Sequence, residues 1–124
     1  MRYEELLNSN SQFEYFIDKS NPNNTITFIL GEYVALNENV LELFADMLQN
    51  RDMSEVGFER HLIEKKFYDL SYADIVKVRF RYSNDVKKSY LTQYLISHNF
   101  KTVTMIVTNT ENEDYDHLIK NFSL

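Results

Sequence analysis

Three histidines, His61, His98 and His117, are the residues of this 124-residue chain best suited to moving protons near neutral pH. His61 stands beside Arg60, with Lys65, Lys66 and Tyr68 following, a set able to serve metal-free RNA cleavage by general acid–base work. On a helix, Arg60, Glu64 and Tyr68 would share one face with His61 next to it. The same mixture occurs on ordinary exposed amphipathic helices, and no nucleophile, base and orienting group come together in the pattern, so no catalytic residue is assigned. His61-Leu62-Ile63-Glu64 has no second histidine one turn on, which excludes the zinc-protease helix. His117 follows Asp114 and Asp116 and suits either an oxygen-rich metal site or an acidic helix start; the helix start is the simpler reading, and no metal site or cofactor is expected.

Other machinery lacks its parts. Gly31 and Gly57 are the two glycines and stand alone, whereas phosphate-cradling loops need several in one turn so that backbone N–H groups can approach the phosphates. A P-loop and a dinucleotide fingerprint are therefore excluded. There is no G-x-S-x-G elbow, and without cysteine there is no thiol nucleophile, zinc finger or disulfide framework. Absence of cysteine fits a reducing compartment. The first residues, Met1-Arg2-Tyr3-Glu4-Glu5, carry acids where an export signal would carry bases, and no apolar run reaches the roughly 18 residues of a membrane helix. A cytoplasmic protein without membrane contact is expected.

Charge is divided unevenly. Residues 1–59 hold three basic residues against eleven acids, residues 60–101 nine against four, and residues 102–124 one against four. In the acidic front, Glu38, Glu42 and Asp46 recur every four residues on the exposed side of a helix expected over 38–49. Like charges at that spacing cost an isolated helix about 0.2–0.5 kcal/mol per pair. The row reads either as a solvated face or as a docking face for a basic partner, such as a nuclease or another nucleic-acid-binding protein, whose phosphate sites the carboxylates would occupy. In the basic centre, Lys77, Arg79 and Arg81 project from one strand face, and Lys87 and Lys88 fall in the first turn of the helix expected next. Cations there oppose the helix dipole, which a bound anion would relieve, with Tyr82 and Tyr90 placed to stack on RNA or single-stranded DNA. The chain as a whole is acidic, which argues against a general nucleic-acid binder.

The elements that must position these groups follow from periodicity. A turn cluster at 18–24 surrounds the single proline, Pro22. Before it, a short helix is expected over 2–8, and residues 12–17 fit a helix or a strand, the helix preferred. Thr25–Leu30 reads as a strand, with a brief second one at 33–36. Helix 38–49, capped by Asn37 or Asn39, buries Val40, Leu41, Phe44, Met47 and Leu48. A helix capped by Ser54 runs to about Asp69 with Phe58, Leu62, Ile63 and Phe67 inward. Ile75–Tyr82 is the clearest strand, its apolar residues alternating with Lys77, Arg79 and Arg81 on a wet face. A helix then runs from Ser83-Asn84 to about Asn99 through Val86, Tyr90, Leu91, Tyr94 and Leu95. A strand at 102–108 and a terminal helix, boxed by Thr110 and Glu113, complete the chain.

One domain over 1–124 is expected, of α/β (or α+β) class: a small three- to four-stranded sheet with parallel pairings, packed by about four to five helices as a single layer or two-layer sandwich. The order strand, two helices, strand, helix, strand is similar, in element order alone, to that of barstar-type inhibitors, and this resemblance implies a small acidic cytoplasmic inhibitor. The functional expectation is a non-enzymatic module that inhibits or regulates a partner protein, on the scale of immunity proteins, antitoxins and phage-encoded inhibitors of host defence. The residue usage is compatible with an AT-rich bacterial or phage genome. The alternative is an RNA or single-strand binder, or a metal-independent ribonuclease, centred on residues 60–88.

Overall fold

The computed structural model describes residues 13–50, 59–113 and 115–119. Strands β1 (Phe13–Ile17), β2 (Thr25–Glu32), β3 (Glu59–Asp69), β4 (Asp74–Ser83), β5 (Lys88–His98) and β6 (Lys101–Asn109) form one six-stranded sheet. Its order is β1-β2-β6-β5-β4-β3, and every pairing is antiparallel. The two helices among the described residues are α1 (Glu38–Gln49) and a single turn, α2 (Asp116–Ile119). The chain leaves β2 near one edge and re-enters at β3 on the other, so α1 crosses a face of the sheet on the way.

The expected helix-rich architecture is therefore wrong: the protein is mostly antiparallel sheet, and the parallel pairings and the barstar-like element order fall with it. Residues 59–69 and 88–98 are strands, and 13–17 is a strand as well. Residues 33–36 form no strand. The helix expected at 2–8 and the Ser54 cap lie outside the described residues.

Two local causes produced helix-like spacing. In β3 the register against β4 shifts between Leu62 and Glu64, so Ile63 is an inserted residue. The insertion turns a two-residue alternation into the spacing Leu62, Ile63, Phe67, which imitates a helical stripe. In β5 both faces are covered. Tyr90, Tyr94 and Ile96 are buried on one, Leu91 and Leu95 are half-buried on the other, and polar Thr92 and Gln93 sit between. A central strand with two apolar faces loses its alternation.

The core has two layers, one on each face. Under α1, Leu36, Leu41, Ala45 and Leu48 meet Val76, Val78 and Phe80 of β4. Across the sheet, Phe28, Ile75, Tyr94, Ile96, Val103, Met105 and Val107 meet Ile119 of α2, with Tyr115 packed against them. Each such buried leucine, valine or phenylalanine stabilises by about 1.5–3 kcal/mol. A twelve-residue helix is marginal in water, so α1 owes its order to this contact and to its ends. Its Asn37 side chain accepts from the Val40 N–H at 2.9 Å. At the other end the Arg60 guanidinium donates to the Gln49 carbonyl, placing a cation where the helix dipole favours one. None of the described helices is long and apolar enough to cross a membrane.

Candidate functional site

Part of the basic centre is used by the fold itself. Arg60, besides capping α1, lies over the Phe80 ring at 5.8 Å. Lys65 binds Glu42 of α1 at 2.5 Å, and Lys66 lies 4.9 Å from the centre of the Tyr68 ring. Lys77 is fully buried, and Arg79 is 6% exposed. The wet strand face expected for these two is in fact covered by the segment 110–119. Residues 84–87 form a turn and not a helix start, so the dipole argument for Lys87 and Lys88 does not apply; both are exposed near the β4–β5 hairpin. His61 is exposed, 3.8 Å from Glu59, and shares no helical face with Glu64 and Tyr68 because all three lie on a strand. Among the described residues no group of three His, Asp or Glu side chains is placed to hold a metal ion.

Lys77 and Asp116 organise what covers that face. The Lys77 ammonium lies 3.0 Å from Asp116 Oδ1 and 3.2 Å from Glu64 Oε1. The hydroxyls of Tyr68 and Tyr94 donate to Asp116 at 2.7 and 2.8 Å, and the Tyr115 N–H donates to the Tyr94 oxygen at 3.1 Å. Arg79 extends the network, donating to Thr92 Oγ1, Asn112 Oδ1 and the Glu113 carbonyl, each at 3.1 Å. Burial alone would push the Asp116 carboxyl up. Hydrogen bonds from Tyr68, Lys77 and Tyr94, with the Lys77 charge, outweigh it and hold the carboxyl below its ordinary 3.8. Burial likewise pulls Lys77 down, and Asp116 and Glu64 more than restore it, above its ordinary 10.5.

The pH dependence follows from these signs. Asp116 contributes stability that is fully present above 3.8 and is lost as pH falls through its lower folded value. Lys77 contributes stability that is fully present below 10.5 and is lost as pH rises through its higher folded value. The urea stability difference between wild type and Asp116→Asn is expected to stay level from about pH 5 to 9 and to close in acid. A difference that grew on acidification would contradict the assignment.

One row at the hairpin end of the same face is left incomplete. His61, Arg81, Tyr90 and Asn109 lie opposite one another on β3, β4, β5 and β6. Arg81 Nε and Asn109 Oδ1 are buried without a hydrogen-bond partner among the described residues. The Asn109 amide nitrogen, by contrast, reaches the carbonyls of Glu111 and Glu113 at 2.8 and 3.3 Å. Of the five cations expected at an anion site, then, Lys77 and Arg79 are committed internally, Lys87 and Lys88 stay at the surface, and Arg81 alone holds a buried donor in reserve.

The acidic row lies where helical spacing places it. Glu38, Glu42 and Asp46 are exposed on α1, Glu42 paired with Lys65, Glu38 and Asp46 in no ion pair among the described residues. The sequence reading missed the apolar pair beside them. Leu43 is 70% exposed, and Met47, expected in the core, is 56% exposed. The true inward positions are Leu41, Ala45 and Leu48, with Val40 and Phe44 at the margins.

At the opposite end of the strands from the 84–87 turn is an open cleft of about 460 Å³, lined by Tyr33, residues 70–74 and residues 97–100. The β5–β6 hairpin closes through Asn99 (φ 48°) and Phe100 (φ 63°), both left-handed, as a two-residue turn of this kind requires. For phenylalanine this conformation costs about 1–2 kcal/mol relative to the right-handed region. Its ring is 86% exposed and 6.3 Å from the Tyr33 ring. Tyr33 is held by its neighbour: the Val34 N–H donates to Thr102 Oγ1 at 2.8 Å, and the Ser97 hydroxyl donates to the Val34 carbonyl at 2.6 Å. The Thr102 hydroxyl is then left to donate to Ser97 Oγ, 2.8 Å away, which closes the ring of bonds. On the other wall Asp74 lies directly opposite Asp69 in register. Burial, then a hydrogen bond and charge from Asp69, raise the Asp74 carboxyl above its ordinary value. The His98 Nδ1–H donates to the Tyr72 carbonyl.

No protein-family model matches the sequence, and no curated protein matches it. Solved structures do match in shape. Cyanobacterial PsbP (CyanoP) from Synechocystis sp. PCC 6803 superposes with a TM-score of 0.55 at 10% identity, covering 90% of this chain and 77% of that one. PA94 from Pseudomonas aeruginosa, a protein of unknown function described as a candidate regulator, superposes with a TM-score of 0.56 at 12% identity, covering 94% and 85%. The likeness is one of fold alone.

Proposed function

We propose that this chain is a non-enzymatic binding module that captures a basic partner protein through the outer face of α1. The observation that carries the reading is the exposed pair Leu43 and Met47 set beside the carboxylates of Glu38, Glu42 and Asp46. An apolar centre bordered by charge is the usual anatomy of a protein interface, and carboxylates steer a cationic partner toward it. α1 is itself firmly placed, capped at both ends and seated on β4. The commitment of Arg60, Lys65, Lys77 and Arg79 to partners within the chain supports a protein partner over a nucleic acid, since four of the nine central cations are already engaged. Inhibition would follow if the carboxylates occupied the phosphate site of a nuclease, as an immunity protein or antitoxin does, and the cytoplasm is the expected place of action.

The test is affinity capture from the source cell at low and high salt, followed by reconstitution with the purified partner. A basic protein whose retention falls with salt is expected. The variant Glu38→Lys/Glu42→Lys/Asp46→Lys should weaken its binding roughly a hundredfold or more, whereas Lys87→Glu/Lys88→Glu should leave it intact or tighter. Equal binding by the α1 variant and wild type would end the proposal.

A further inference from the structure

We infer that the cleft lined by Tyr33, Phe100 and Asp74 is a binding site for an organic cation, an alkylammonium or guanidinium group seated against the two rings and the Asp74 carboxylate. The inference does not rest on the α1 surface.

Its first ground is the cleft itself. About 460 Å³ is ample for a small cationic head group and lies within the range of ligand sites. The second is the chemistry of the walls. Tyr33 and Phe100, with centroids 6.3 Å apart and planes inclined at 60°, form a corner whose ring faces attract positive charge. The Asp74 carboxylate on the lining repels an anion and attracts a cation, and its register partner Asp69 adds negative charge behind it.

The third ground is Phe100. Its left-handed backbone favours glycine or asparagine, and its ring is 86% exposed, so it contributes almost nothing to the core. Within the fold the ring meets only the Tyr33 ring among the described residues' aromatic contacts, while a ligand covering it would bury the rest of it. The Ser97–Thr102–Val34 ring of hydrogen bonds fixes the backbone beside Tyr33, so its point of attachment is set before the ligand arrives.

The probes are choline and N-acetylarginine amide, with 3,3-dimethylbutanol as the uncharged shape-mimic of choline. Ring and methyl resonances of the protein are followed by NMR during titration. Choline or the arginine derivative is expected to shift Tyr33 and Phe100 with dissociation constants on the order of millimolar, and whichever binds tighter separates a free ammonium from a peptide guanidinium as the source. The uncharged mimic is expected to bind at least tenfold more weakly. Asp74→Asn should weaken the cation at least tenfold. Phe100→Gly should abolish the shifts while raising Tm, because it relieves the backbone and keeps the turn. Three results would overturn the inference: no saturable shift with either cation, equal binding of the uncharged mimic, or unchanged cation binding in Phe100→Gly.

Discussion

Replacing Asp116 by alanine is expected to cost about 3–5 kcal/mol, the usual loss when one partner of a buried ion pair is removed. Lys77 is fully buried, so the variant takes from its ammonium the Asp116 carboxylate at 3.0 Å while Glu64 stays at 3.2 Å. The Tyr68 and Tyr94 hydroxyls lose the Asp116 acceptor in the same step. A domain of this size has about 5–15 kcal/mol in total, so much of the margin is gone. The double variant Lys77→Met/Asp116→Leu removes both charges and puts apolar volume in their place. It should recover most of the loss, because desolvating the charges costs about as much as their attraction returns. Urea unfolding of the two single variants and the double closes the cycle. A loss below about 1 kcal/mol for Asp116→Ala would show that the pair behaves like a surface one.

The same pair shows how far the sequence could be followed. β4 was legible almost to its ends, since Val76, Val78, Phe80 and Tyr82 alternate with Lys77, Arg79 and Arg81. Alternation states that two faces differ; it does not state that the polar one is wet. Its cover comes from residues 110–119, more than thirty positions away in the chain, and the only local trace is a complementary charge: acids at 111–116 against bases at 77–81. A terminal helix boxed by Thr110 and Glu113 was expected there; among the described residues the helical turn α2 starts only at Asp116, and Arg79 and Asn109 hold the Glu113 carbonyl before it. In β3 and β5 the failures have named causes, an inserted Ile63 and a strand covered on both faces, and tertiary packing overrode the local period in each.

The two candidate surfaces differ in the same way. Glu38, Glu42 and Asp46 could be read directly, because helical spacing alone sets which carboxylates share a face. Leu43 and Met47 could not, since their exposure depends on where α1 meets β4, and Ala45 at the contact turns them outward. The cleft was not legible at all. Its hairpin has Phe100 where the usual signal of such a turn is glycine, so Asn99-Phe100 did not mark a turn.

Phe80→Ala is the second large expected effect, about 3–5 kcal/mol for deleting a fully buried ring, and it bears on function as well as stability. Phe80 is fully buried beneath α1, with the Arg60 guanidinium 5.8 Å from its centre and Tyr82 at 6.2 Å. Its removal takes away the floor under Leu41, Ala45 and Leu48 and loosens the arginine that caps Gln49. The sheet's other face, with its own apolar cluster, loses no contact directly. Hydrogen exchange should therefore quicken first in α1, ahead of β5 and β6, because a twelve-residue helix without its footing is marginal. Partner capture is expected to fall with it, although no residue on the outer face of α1 has changed: the carboxylates and the Leu43–Met47 pair keep their spacing only while the helix is formed. Capture undiminished in a variant whose α1 amides exchange freely would mean that the partner binds this segment without the helix, and the α1 face would not be the recognised shape.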